Sequence, residues 1–212
     1  MDKRVKENKF LNNVIMLGTW IYQLFLLQIL WFFYALKGLI LGGIFPATAG
    51  AVKVFYRWFS EKSADFSIQD QLNETFRSEF KKANAVGYSS LAIILILYID
   101  LRVSNVFIQS IFLHTMLLLF SGLILSVGLY LFTVLTRYDF TLLNIFKQSF
   151  FIALSVPIYT VAAAVSLILS VALLSNYAFL LIFFGIPIIL APIVWFTYSG
   201  MLVAETKRAE DV

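Results

Sequence analysis

Apolar and charged positions fall into long blocks along this chain, with charges only at the block ends. Val14–Leu36 is uncharged for 23 residues and, after Lys37, is followed by the uncharged Gly38–Val52. Ala83–Ile99 lies between Lys82 and Asp100, Val103–Thr136 has no charge over 34 residues, and Gln148–Ala204 has none over 57. About 20 residues carry a helix across the hydrocarbon of a bilayer. The last block therefore holds two spans, with its break expected at the polar interruption Leu174-Ser175-Asn176. The pattern predicts an all-α polytopic transmembrane bundle, one integral membrane domain over residues 1–212 with about six crossings. These fall near 14–36, 38–56, 84–100, 109–135, 149–174 and 178–200, with Val103–Ile108 as an outer connection.

One long polar stretch breaks this rhythm, between Ser60 and Lys82. Ser67-Ile-Gln-Asp70 resembles a capping box with Asp in place of Glu. Phe66, Ile68, Leu72, Phe76 and Phe80 then follow largely at helical spacing among charged residues. An amphipathic helix over 66–82 is expected on the inner membrane surface, touching lipid, its own bundle, or both.

Composition supports lipid as the solvent. The chain is 61% hydrophobic and 13% charged, with a mean hydropathy of +0.89, where a soluble domain carries roughly 25% charged residues. There is no cysteine, so disulfides, thiol catalysis and cysteine metal sites are excluded. The net charge of +4 reports topology here and not a nucleic-acid partner. The basic start leads into an apolar run longer and more aromatic than a signal peptide's, so a retained first span is expected.

Basic residues collect on the cytoplasmic side of membrane proteins. Six crossings with both termini in the cytoplasm leave only Lys37 and Arg102 outside. A five-span alternative, in which 38–52 does not cross, leaves Lys3, Arg4, Lys6, Lys9 and Arg102 outside. The six-crossing reading fits the rule better. Its second crossing is short: from Pro46 to Trp58 a helix rises about 20 Å, against roughly 30 Å of hydrocarbon. The first helix must then be short or tilted, or Gly42–Phe45 must sit below the outer surface. Glycine is expected at this turn for its conformational freedom and Pro46 for its place in a first helical turn. Irregular backbone at that depth needs protein or water against it. Gly42, Gly43, Pro46, Thr48, Arg57 and Trp58 are therefore the candidate turn pocket or partner site.

Other chemistry is sparse. His114, the single histidine, sits in an apolar block and reads as a neutral hydrogen-bonded group, since a metal site would need partners this chain does not supply. Asp100 with Arg102 and Arg137 with Asp139 read as boundary ion pairs. Gly38-x-x-x-Gly42 and Gly122-x-x-x-Ser126 allow close helix approach, and Pro157, Pro187 and Pro192 are expected to kink the last two spans. Asn12, Asn13, Gln23 and Gln28 suggest one polar face of the first span turned toward protein. There is no phosphate-binding loop, paired intramembrane carboxylates or nucleophile with a base. No enzyme activity, cofactor or metal is expected.

Gly43-Ile-Phe-Pro-Ala-Thr-Ala49, Arg57-Trp58, and Glu79-Phe80-Lys81-Lys82-Ala83-Asn84 with Gly87 resemble the YesL-like family of small bacterial integral membrane proteins, a domain of unknown function. The resemblance is strongest over 42–87; beyond residue 90 only hydropathy agrees. Members are often encoded beside sugar-binding transport components and polysaccharide-degrading enzymes. The resemblance thus implies an accessory or regulatory part in carbohydrate uptake, in the bacterial plasma membrane, with a sugar ABC-type permease as partner. A small transporter acting alone and, behind it, a membrane enzyme stay open, as does self-association. The resemblance supplies no catalytic or ligand-binding residues.

Overall fold

The computed structural model describes residues 2–61 and 66–210, with side chains over 14–61, 66–106 and 109–209. Eight α-helices follow in order: α1 Asp2–Lys37, α2 Ile44–Glu61, α3 Ile68–Ser78, α4 Phe80–Val103, α5 Ile111–Arg137, α6 Leu142–Ser155, α7 Pro157–Asn176 and α8 Ala178–Glu210. A π-helical turn, Ser104–Ile108, joins α4 to α5. Among the described residues there is no strand. Stretches of α1, α4, α5, α7 and α8 are long and apolar enough to cross a membrane. Their outer faces leave side chains such as Leu119, Ile168 and Ile182 exposed. Apolar surface on this scale needs lipid around it. The all-α bundle expected from the blocks is present, and α2, the expected short crossing, is not among those five helices.

Two hydrophobic clusters hold the bundle. One joins α1, α2 and α3 around Leu27, Ala47, Val54, Phe55 and Leu72 and reaches Val194 of α8; the other joins α2, α4, α5, α6 and α8 around Ala49, Val86, Tyr130, Ile145 and Met201. α1 and α2 form an antiparallel hairpin: Trp20 packs edge-on against Trp58, and the Trp31 indole reaches Thr48.

Three expectations need correction. The span placed at 149–174 is broken at Val156, and α7 starts at Pro157 as its first residue. Proline has no N–H and its ring displaces the carbonyl four residues back. The Thr160 hydroxyl donates to that carbonyl, Ala153 O, at 3.0 Å. The helix placed at 66–82 is two helices. Ser67 caps α3 by accepting from the Asp70 amide at 3.2 Å, but α3 ends at Ser78, and Phe80 already belongs to α4. Neither expected boundary pair forms: Arg102 bonds the Tyr98 hydroxyl, Arg137 bonds Glu205, and Asp139 bonds Lys82. The break at Ser175-Asn176 falls where expected, between α7 and α8.

Polar side chains mend what the prolines break. Pro192 frees the carbonyl of Ile188, and Ser170 of α7 donates to it at 3.0 Å. Beside Pro187, the Ile186 amide donates to Gln28 Oε1 at 2.9 Å. Gln28 is buried and Gln23 Oε1 is buried without a partner, so these two amides of α1 do face protein. The side chains of Asn12 and Asn13 lie outside the described residues.

Candidate functional site

The bend between α1 and α2 closes with a helix-terminating pair of hydrogen bonds, Ile40 N to Ala35 O and Leu39 N to Leu36 O, both 2.9 Å. This is a Schellman arrangement, whose left-handed position is usually glycine. Here that position is Leu39, with φ 58°, followed by Ile40 at 63°. No glycine here has a positive φ, so the conformational freedom expected of them is not used, while the close approach expected of Gly38-x-x-x-Gly42 is present. A Cβ on Gly38 would fall on Gly43 Cα, and one on Gly43 would fall on Ala35 O. They are glycines because two backbones meet there.

The bend is tied to α4. Asn84 Nδ2 donates to Gly42 O at 3.0 Å, and the Tyr88 hydroxyl donates to Leu41 O at 2.8 Å. Phe45 lies against Gly87, where a Cβ would overlap its ring, and meets Tyr88 edge-on. The segments that carry the family resemblance, 43–49 and 79–87, are thus in contact. The amides of Gly43 and Ile44 donate to Ile40 O, and that of Ala47 to Gly43 O. Thr48 donates to Ile44 O at 2.8 Å and accepts from Trp31 Nε1 at 3.1 Å. These donors are satisfied within the chain. Outside them, Leu39 is 88% and Leu41 73% exposed, an apolar tip on a bend held from within.

The bend lies beside the basic end of α4. Asn84 is two residues past Lys82, about 3 Å along the helix, and Tyr88 about 9 Å. α2 packs on α5 from there, with Phe45 stacked near Phe132 and Lys53 Nζ donating to Thr136 O at 2.7 Å.

Arg57 and Trp58 sit at the other end of α2, too far to share one site with Gly42, Gly43, Pro46 and Thr48. Arg57 donates to both oxygens of Glu61 at 2.9 Å and to Gln71 Oε1 at 2.8 Å, with its guanidinium 4.2 Å over the Phe66 ring. That hydrogen bond holds the exposed Glu61 carboxyl below its ordinary value. Trp58 is buried against Phe55, and its Nε1 has no partner. α3 lies over α2 with Leu72 fully buried against Gly50, where an added Cβ would meet Leu72 Cδ2 at 2.9 Å.

Sequence reasoning missed a network at the same end. Arg137 donates to the Tyr56 hydroxyl at 2.9 Å and to Glu205 Oε2 at 2.5 Å, and the Tyr138 hydroxyl donates to the other oxygen of Glu205. Burial, then the carboxylate beside it, pushes the Tyr138 phenol up to about 12. Only the basic–aromatic composition of these helix ends hinted at it. A polar cavity of about 160 Å³ also opens here, lined by Lys53, Gln71, Glu74, Thr75, Glu79 and Thr136.

At the α4–α5 joint, Gln109 takes the left-handed conformation at φ 52°, and its amide bonds Ser104 O at 3.0 Å. Ser104, Asn105, Gln109, Ser110, Ile111 and His114 line a cavity of about 250 Å³. His114 Nδ1 is buried without a partner, contrary to the hydrogen-bonded histidine expected. No group of acidic, histidine or cysteine side chains that could hold a metal occurs among the described residues.

An all-α bundle with five helices of membrane-crossing length and composition defines this molecule as a polytopic membrane protein. A family described as "Protein of unknown function, DUF624" matches residues 24–101, the stretch from mid-α1 to the end of α4 that contains the tied bend. "Uncharacterized protein YesL" of Bacillus subtilis (strain 168) is 28% identical over 167 residues, 79% of each chain. "Uncharacterized protein YteU" of the same organism is 26% identical over 206 residues, 94% of this chain and 90% of that one. These matches support a YesL-like family for the chain. No solved structure matches it.

Proposed function

We propose that this protein is an accessory or regulatory subunit of carbohydrate uptake in the bacterial plasma membrane, without catalysis of its own. The observation that carries the docking part is the apolar tip Leu39–Leu41. Its backbone and the next residue's are fixed by Tyr88 and Asn84, while the Leu39 and Leu41 side chains stay largely exposed. A preordered apolar knob loses little entropy on binding, which suits insertion against a permease's helices. The sugar setting rests on the resemblance of residues 42–87. Both termini are cytoplasmic in this reading. The hairpin brings Trp20 beside Trp58, and Arg137 joins Glu205 at the same end, so both ends of the chain approach the basic residues.

Mild-detergent purification from the native membrane should recover a sugar permease with the intact protein. Replacing Leu39 and Leu41 together with Asn should abolish recovery without lowering the melting temperature, since Asn tolerates the left-handed conformation at 39. Sugar flux into liposomes containing this chain alone would instead favour the solute-transporter reading.

A further inference from the structure

We propose that the cavity at the α4–α5 joint binds a small neutral molecule through its hydroxyl groups. The cavity has an unusual wall. Ser104 is 1% exposed, and its hydroxyl has no hydrogen-bond partner. Many helical hydroxyls in this bundle fold back on the carbonyl four residues earlier: Ser90 on Val86, Thr115 on Ile111, Ser121 on Leu117, Ser126 on Gly122. Ser104 does not, nor does the buried Ser149 of α6, but only Ser104 lies beside a second bare atom on one cavity, His114 Nδ1. A buried polar atom left bare is costly, so two around one cavity call for an occupant.

The lining decides its chemistry. Ser104, Asn105, Gln109, Ser110 and His114 offer hydroxyl, amide and imidazole groups, with Ile111 as the apolar member. No carboxylate, ammonium or guanidinium lines the cavity, so an ion entering it would shed water without a countercharge. A hydroxyl both donates and accepts, which suits a serine that can do either and an imidazole nitrogen that does one. The volume of about 250 Å³ equals about eight waters at their share of liquid volume. A polyol or a monosaccharide is of that size. This inference is independent of the uptake reading and of the bend that carries it.

His114 is the only histidine, so its carbethoxylation by diethyl pyrocarbonate reports on the cavity without interference from others. The full chain in detergent would be modified in the presence of glycerol, erythritol or glucose, with glucuronate as the charged control. A neutral polyol should slow the reaction saturably, about tenfold at ten times its Kd by mass action. Ser104→Ala should weaken that protection about fivefold, the effect of losing one hydrogen bond, and melt no lower than the parent. Asn105→Ala serves as a second variant should the first fail to fold. The absence of saturable protection by every neutral polyol up to molar concentration would overturn the proposal and leave the cavity to water. So would undiminished protection in both variants, or glucuronate protecting as well as glucose.

Discussion

The two joints of this bundle share one backbone device and use it differently. At α1–α2, Leu39 and Ile40 turn left-handed and Ile40 N bonds Ala35 O; at α4–α5, Gln109 turns left-handed and its amide bonds Ser104 O. Both close a helix with an amide reaching back five residues, and neither puts glycine at the left-handed position. The first joint is then tied down, with Asn84 and Tyr88 on its carbonyls and Phe45 pressed against Gly87. The second leaves Ser104 Oγ and His114 Nδ1 bare around a cavity; at the first, Asn84 Oδ1 is bare too, but its Nδ2 still holds Gly42 O. A left-handed helix end is therefore no marker of function in itself. Whether a neighbouring helix holds its carbonyls separates a structural joint from an available one.

The sharpest way to break the comparison is Gly87→Ala. Its Cβ would overlap the base of the Phe45 ring, which cannot swing away as the tip of a flexible chain could. Overpacking of this kind costs about 1–3 kcal/mol, seen as a lower melting temperature in detergent. Phe45→Leu in the same chain should recover part of the loss, since residues in contact do not add independently. A Gly87→Ala protein that melts like the parent would mean the first joint is not tied here.

Asn84→Ala and Ser104→Ala together measure the contrast. Asn84 Nδ2 serves both Gly42 O and Phe80 O at 3.0 Å, so its loss should cost about 1–2 kcal/mol. Ser104 Oγ bonds nothing, so its loss should not lower stability and should instead relieve a bare buried hydroxyl. Equal losses in thermal melts would erase the distinction.

Much of this was readable in the sequence. Uncharged blocks marked the apolar helices because charge is costly in lipid whatever the fold, and Ser67-x-x-Asp70 marked the start of α3 because a cap is local. Pro157 promised a disturbance, but the choice between a kink and a break depended on α6 and α7 packing as separate helices. The bend itself was found for a partly mistaken reason. Glycine-glycine suggested left-handed backbone, whereas the glycines mark close approach and two exposed aliphatic residues do the turning. The tie to Asn84 and the exchange of partners by Arg137 and Asp139 join residues 42 to 68 positions apart. Spacing along a chain carries no trace of such pairs.

Leu39→Gly tests the cost of that arrangement. A left-handed conformation costs an ordinary residue about 1–2 kcal/mol, while Leu39 gains little from packing at 88% exposure. Glycine there should stabilise the protein by roughly 1 kcal/mol, after its larger unfolded-state entropy is counted. A stability gain with reduced permease recovery would show that the leucine is kept for contact.

Tyr138 extends the comparison to alkaline pH, at the tied end. Its phenol ordinarily titrates near 10 and is pushed up to about 12 by burial and by donating to Glu205. The folded state therefore holds this proton more tightly than the unfolded chain. The stability this confers is complete below pH about 10 and is lost as pH rises toward 12. Tyr138→Phe should flatten that part of the melting-temperature profile relative to the parent.

The smallest effect is expected at Asp139, where Lys82 from the first turn of α4 meets the chain just beyond α5. The lysine's hydrogen bond lowers the Asp139 carboxyl below its ordinary value of 3.8. Its contribution is thus present above the usual carboxylate range and lost as pH falls through the depressed value. Asp139 is almost wholly in solvent, and exposed pairs are screened by salt and opposed by side-chain entropy. Asp139→Asn should consequently change the melting temperature measurably only at low ionic strength and neutral pH, with the difference vanishing in high salt or acid. A salt-independent loss would mean that this pair positions α4 against α5, and that the tied joint reaches beyond Asn84 and Tyr88 to the end of the bundle.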